Sequence, residues 1–308
     1  MKRNPPAMAF LQFVNVGGEQ RPFVLYAENE RARNPVVIVT ADSICFEVLN
    51  GNTSDNRYTK MGDVNGLNGV AKSIGGVAVH LLYKRRFGGL ISGPNVRGGM
   101  LPFDPSYDDI AYLQAVMDKI NQRFGTGRKV FVGFSAGSQY GLIALSRMQD
   151  VFTDFVSVSG TMLGTEGEVH PGVNLVRFYG ARDERFPWEG GLSKSRVNRW
   201  IMRRMLEPFA ADSKPQALET VFAQVNSYRL DACDEKVLAK GIARKQYNPP
   251  GDSPTVVSYF AYGLGLGGHT YHGRERVESL PSRLGAPPAA KDVYSVNEIF
   301  VRELGLSR

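Results

Sequence analysis

Histidine and cysteine are scarce in this chain of 308 residues, with four of the first and two of the second. Two thiols, Cys45 and Cys233, are too few for a disulfide scaffold and are not spaced as a metal knuckle. One bridge or two free thiols both fit, free thiols being the commoner state of an isolated pair. No metal-ligand spacing links His, Cys and Asp, so neither a metal nor an organic cofactor is expected. The apolar runs reach about eight residues against the roughly 20 needed to cross a bilayer, and no transmembrane helix is expected. Gln12 and Asn15 break the first apolar stretch after Lys2-Arg3, and no small-residue cleavage site follows. A secretory leader is therefore not expected, and a cytoplasmic chain is expected ahead of a secreted mature one.

What is present is ordinary globular material. Hydrophobic residues make up 43% and charged residues 22%, which excludes disordered, collagenous and coiled-coil chains. The length fits one α/β domain with an insertion. The net charge of +7 is partly local. Lys194, Arg196, Arg199, Arg203 and Arg204 cluster between Leu192 and Arg204 without an acid, while Val197, Ile201 and Met205 recur at i, i+4 and i+8. That spacing predicts an amphipathic helix with a solvated basic face, ended by Pro208. It lies in the expected insertion, about 184–215, and no nucleic-acid motif accompanies it.

Ala9 to Val16 and Arg21 to Glu28 read as strands of a hairpin around Gly17-Gly18-Glu19-Gln20. Further strands are expected at Val36 to Thr40, Val77 to Tyr83, Lys129 to Phe134, Asp154 to Ser159, Asn174 to Tyr179 and Thr255 to Tyr262. Their near-continuous apolarity demands a sheet covered on both faces. Helices fall between them, one opened by Ser106 and running to about Arg123, the last opened by Ser295. Alternating strands and helices after a hairpin give a mostly parallel central sheet with helices on both sides. The glycine-rich stretch from Tyr83 to Pro105 is read as a long loop.

Gly133-Phe134-Ser135-Ala136-Gly137 matches G-x-S-x-G. At this glycine and serine content the string arises by chance in about one such chain in four, so its flanks must decide. It follows the strand Lys129 to Phe134 and precedes the helix Ser138 to Met148. Strand, tight turn and helix form a nucleophile elbow, which lifts the serine hydroxyl above the sheet beside a positive helix N-terminus. Ala136 N–H, just after the nucleophile, is then an oxyanion donor. A serine needs a base, and in this arrangement the acid and then the histidine follow it in the chain. His80 precedes the serine and His170 precedes the acid, which leaves His269, with His272 as runner-up. Gly263 to Gly268 also spell G-x-G-x-x-G, but Thr270-Tyr271-His272-Gly273 opens no helix, so no dinucleotide site is read there. Asp183, in the loop after Asn174 to Tyr179, is the favoured acid, with Glu184 adjacent; Asp231 and Asp234 are read as helix-end surface charges. Phe186, Trp188 and Tyr271 flank the acid and base and are placed to form an aromatic acyl pocket.

These residues resemble the α/β-hydrolase esterases of the polyhydroxybutyrate depolymerase and feruloyl esterase group, over about Arg21 to Leu304. The matching stretches include Asn34 to Val39, Tyr107 to Ala111, Val130 to Gly137, Phe152 to Gly160, Tyr179 to Asp183 and Gly267-Gly268-His269-Thr270-Tyr271. The resemblance implies the triad Ser135, Asp183 and His269. Where the family has a His-Gly pair after the first core strand, this chain has Ala41-Asp42, and Ser43 N–H is the matching second oxyanion donor. The stretch from about Leu192 to Lys214 is longer than the family's and reads as a lid. The function implied is ester hydrolysis, on small or polymeric hydroxyalkanoate esters or on feruloyl and acetyl esters. The rivals are a peptidase or thioesterase with the same triad, and a non-catalytic binder of a polyanion or anionic surface.

Overall fold

The computed structural model describes residues 8–42, 65–84, 93–99, 103–162, 164, 166–181, 183, 217–229, 231–239, 241–247, 254–262 and 295–306. Strands β1 (Met8–Val16) and β2 (Glu19–Ala27) form the expected hairpin. Its turn is shorter than read from the sequence. Gly17 and Gly18 alone make it, at φ 60 and 89, values only glycine adopts without strain, so Glu19 and Gln20 join β2.

The remaining strands are β3 (Val37–Asp42), β4 (Val77–Leu81), β5 (Lys129–Phe134), β6 (Asp154–Val158), β7 (Asn174–Gly180), β8 (Cys233–Ala239), β9 (Ile242–Tyr247) and β10 (Val256–Ala261). They form one sheet in the order β1-β2-β4-β3-β5-β6-β7-β10-β9-β8. From β4 through β3, β5, β6 and β7 to β10 the pairing is parallel, with antiparallel strands on each flank. Every residue of β4, β5 and β6 is buried, which is the physical reason for their unbroken apolar runs.

Helices cover both faces: α1 (Leu67–Ile74), α2 (Asp109–Phe124), α3 (Ala136–Arg147), α4 (Leu218–Val225) and α5 (Val296–Glu303). Alternation along β5 sends Phe131 into the core with Tyr112, Leu113, Leu142 and Phe222 of α2, α3 and α4. Val130, Val132 and Phe134 enter the opposite core with Leu67, Ile74, Val296 and Phe300 of α1 and α5. Each such side chain contributes about 1.5–3 kcal/mol by leaving water.

Three local expectations change. The cap of α2 is Asp108, whose side chain accepts from Ile110 N at 2.8 Å, while Ser106 Oγ bonds Asp104 instead. The helix starts there because the next residue, Asp109, is buried and held by Arg21 Nη2 at 3.0 Å and Asn95 N at 2.6 Å. Asp234 is no helix end but lies on β8, paired with Lys236, and Asp231 is an exposed partner of Arg229 between α4 and β8. Helices α1 and α4 and the β8–β9 hairpin were not expected from the sequence. Ser295 caps α5 as read, accepting from Glu298 N. Cys233, on β8, is a free thiol.

Candidate active site

The parallel strands end along one line. Register pairs Asp42 of β3 with Phe134 of β5, Phe134 with Val158 of β6, Val158 with Phe178 of β7, and Phe178 with Tyr259 of β10. Ser135 follows this line directly. At φ 58 and ψ −123 it has a conformation that costs an L-residue about 1–2 kcal/mol, and α3 begins at the next residue. Its N–H donates to Val158 O at 3.0 Å and its carbonyl accepts from Ser138 N at 3.0 Å, which hold the turn against relaxation. Gly133 is required by packing: a Cβ there would lie 2.5 Å from Gly137 O and 2.5 Å from Ser138 Cα. The helix can cross so close to β5 only over a bare backbone. The expected strand, turn and helix are thus all present, with Ala136 as the first residue of α3.

Asp183 is buried just past β7, at 4% exposure, after a tight turn in which its N–H donates to Gly180 O at 2.9 Å. Ala181 N bonds Ala261 O at 2.8 Å and ties this turn to the end of β10. Strands β5 and β7 are two places apart, about 10 Å at the usual strand spacing. An imidazole hydrogen-bonded at both nitrogens spans roughly 8 Å, so a histidine at the end of β6 or reaching over it fits between a β5 nucleophile and a β7 acid. Position 269 comes eight residues after Ala261, where β10 ends at the same edge. Eight residues reach up to about 27 Å, against about 14 Å from β10 to β5. His269 itself lies outside the described residues, as do Ser43, Glu184, Phe186, Trp188, Tyr271, His272, Cys45 and the expected insertion.

The two described histidines are not at this edge. His80 is buried in β4, its Nε2 bonded to Asn68 Oδ1 of α1 at 2.8 Å, and burial pushes its pKa down to about 3. It is a neutral core residue. His170 is half-buried in the segment between β6 and β7. Among the described residues no three of His, Cys, Asp and Glu gather as metal ligands, and no helix is long and apolar enough to cross a membrane.

Several supporting residues were not singled out from the sequence. Ser138 Oγ meets Ser157 Oγ at 2.6 Å beneath the elbow, and Gly160 packs against both. Gln139 Nε2 donates to the buried Glu166 Oε1 at 3.1 Å, and Ser146 Oγ donates to Glu166 O at 2.6 Å. The segment after β6 is thereby bound along α3.

No family model matches this chain, and no curated protein sequence does. Solved structures do. An acetyl xylan esterase from Aspergillus awamori has a TM-score of 0.55 at 11% identity, covering 96% of this chain and 99% of its own. A prolyl endopeptidase has a TM-score of 0.48 at 11% identity over 97% of this chain. Pyrococcus horikoshii acylaminoacyl peptidase has a TM-score of 0.48 at 12% identity over 98% of this chain. The chain spans 38% and 42% of those two peptidases' own lengths. The strand order, the helices on both faces and the full-length match to the A. awamori structure give this chain the α/β-hydrolase fold.

Proposed function

We propose that the chain is a serine carboxylesterase with Ser135 as nucleophile, His269 as base and Asp183 as the acid that orients it. The observation that carries this reading is Ser135 itself, a serine of strained positive φ held between β5 and the N-terminus of α3. The buried Asp183 two strands away supports it.

Ser135 Oγ attacks the ester carbonyl as His269 takes its proton, and the carbonyl π pair becomes an oxyanion. Ala136 N–H receives that charge at the positive end of α3, with Ser43 N–H as the second donor. Collapse breaks the acyl–oxygen bond, and His269 returns the proton to the departing alcohol. Water then attacks the acyl-enzyme by the same route, releasing the acid and restoring Ser135. The acyl side is assigned to Phe186, Trp188 and Tyr271, the aromatic residues that flank the acid and the base in the sequence. The substrate class is a hydroxyalkanoate polyester or oligomer, or a feruloyl or acetyl ester. Acetyl esters are also the class named for the A. awamori enzyme.

The test is hydrolysis of p-nitrophenyl esters of graded acyl length, beside matched anilides and thioesters, with a serine-reactive phosphonate mapped by mass. Oxygen esters turned over fastest and an adduct on Ser135 are expected, and Ser135→Ala should lose about 10⁴-fold or more in kcat. An adduct elsewhere, or full activity in Ser135→Ala, overturns the reading. Faster anilide or thioester turnover moves it to a peptidase or thioesterase.

A further inference from the structure

The two edges of the sheet differ in charge. Strand β8 closes one edge and carries Asp234, Glu235 and Lys236 in its seven residues. Charges of this kind blunt an edge, because a further strand laid against it meets like charge or must strip the charges of water. Strand β1 closes the other edge with nine residues, Met8-Ala9-Phe10-Leu11-Gln12-Phe13-Val14-Asn15-Val16, and none of them is charged. A long apolar edge without charge is a template for another strand.

The direction of its backbone groups follows from two contacts. Phe13 lies opposite Pro22 of β2, which has no N–H, and Phe13 O accepts from Lys119 Nζ of α2 at 2.8 Å. Phe13 O therefore points away from β2, and alternation turns the N–H and C=O groups of Ala9, Leu11, Phe13 and Asn15 the same way. Among the described residues, the bonds to these groups are that of Lys119 and one from Gln12 Nε2 to Leu11 O at 3.2 Å. A carbonyl oxygen has a second lone pair, so both can still accept a ladder N–H. The edge is also apolar where it meets water. Phe13 is 37% exposed and Leu11 half-buried, on the face where Ala9 packs against the cluster of Tyr26, Ala71 and Ala78.

We propose that β1 pairs antiparallel with β1 of a second copy of this chain, about a two-fold axis at Gln12, joining two sheets into one. Gln12 is the middle residue of the strand, so the overlap is complete. In that register Leu11 faces the partner's Phe13, Phe10 faces the partner's Val14 and Ala9 faces the partner's Asn15. Every outward N–H and C=O meets its complement, for about eight ladder hydrogen bonds. Phe13 leaves water against the partner's Leu11 on each side of the axis, and β1 brings no charge to the junction. A second copy is the fitting occupant because the strand is its own complement. Apolar side chains meet at the two pairs flanking the axis, and the Gln12 amides, which both donate and accept, meet at the axis itself. The same operation on β8, about its middle residue Lys236, would set two ammonium groups against each other. The inference is independent of the esterase reading, which uses no residue of β1.

Sedimentation equilibrium of the full chain from about 1 to about 500 µM should reach twice the chain mass at the upper end, the range expected of a small interface. Phe13→Pro removes an outward N–H that the β1–β2 ladder does not use, and should hold the single-chain mass throughout. Phe13→Lys, which keeps the backbone N–H and adds a charge at the junction, should do the same if proline disturbs the hairpin. Gln12→Cys sets two thiols opposite each other at the axis, with Cα atoms about 4.5 Å apart, and should oxidise to an interchain disulfide on a non-reducing gel. Asn15→Cys, opposite the partner's Ala9, should not. A single-chain mass for the wild type at every concentration overturns the proposal and leaves the edge to a strand of another protein. A dimer that persists in both Phe13 variants, or cross-linking of Gln12→Cys no greater than that of Asn15→Cys, overturns it as well.

Discussion

The amino and carboxyl ends of the same parallel strands are built on opposite terms. At the amino end Asp154, wholly buried, accepts from Arg128 Nε at 2.7 Å and Nη2 at 2.6 Å, from Thr153 Oγ1 at 2.7 Å and from Asn174 Nδ2 at 2.7 Å. Asn174 Oδ1 then accepts Thr255 N at 2.7 Å, so one carboxylate organises the starts of β5, β6, β7 and β10. Both carboxylate oxygens are used within the protein. At the carboxyl end two strained serines and a buried aspartate face the edge where the chain leaves the sheet. Satisfied hydrogen bonds at one end supply the rigidity that unfavourable conformations at the other require.

Changes at the two ends should therefore separate activity from stability. The largest effect belongs to Asp183→Asn. On the proposed triad, an amide of the same shape can still fill the site but cannot stabilise an imidazolium, so kcat should fall about 10⁴-fold with Tm within a few degrees. At the amino end the outcome should reverse. Asp154→Ala removes four hydrogen bonds and leaves part of Arg128 unpaired, for a loss of about 2–4 kcal/mol in denaturant unfolding. Its kcat, measured well below the transition, should stay within about twofold. Loss of activity without loss of stability in Asp154→Ala would abolish the contrast between the ends.

The same contrast decides what could be read in the sequence. The elbow was legible because its logic is local. A strand that is apolar or small from Val130 to Phe134, a Gly-x-Ser-x-Gly turn and a helix lie within twenty residues, and Gly133 and Ser135 take up there the close packing and the turn that the pattern requires. The place of Asp183 was legible for the same reason, just past a strand that the apolar run marks. The cap of α2 was misplaced at Ser106 because the start of the helix is set by contacts of Asp109 with Arg21, 88 residues away, and with Asn95. The positive φ of Ser159 and the Gln139–Glu166 clamp had no periodic signature, since each depends on a fold that must already exist. The β8–β9 hairpin was missed because Cys233–Ala239 is charged and half-solvated, without the apolar run that marked the central strands.

A smaller, pH-resolved effect sharpens the comparison from within the sheet. Burial depresses the His80 pKa to about 3 from the ordinary 6.5. Between those values the unfolded chain binds a proton that the folded chain does not, so stability falls as pH drops from about 6.5 towards 3 and is fully present above that window. His80→Gln keeps a side chain able to bond Asn68 but removes the titration. Urea unfolding at pH 4 and pH 7 should show a smaller difference in the variant than in the wild type. An equal difference would assign the acid sensitivity to carboxylates instead.

The smallest effect is expected at the edge strand furthest from the β1–β2 hairpin. Lys236 on β8 pairs with Asp234 at 2.9 Å, but their side chains are 64% and 39% exposed. Water screens the pair, and ordering two flexible side chains offsets most of the attraction, so it contributes about 0–1 kcal/mol. Val237 and Leu238 beside it are themselves 71% and 48% exposed, and little packing depends on this stretch. Lys236→Ala should shift Tm by about 1 °C or less and leave kcat unchanged. A shift several times larger would mean that the β8–β9 flank folds as one cooperative unit with the parallel strands. The rigidity that holds the strained serines would then come from the sheet's edge as well as from the network around Asp154.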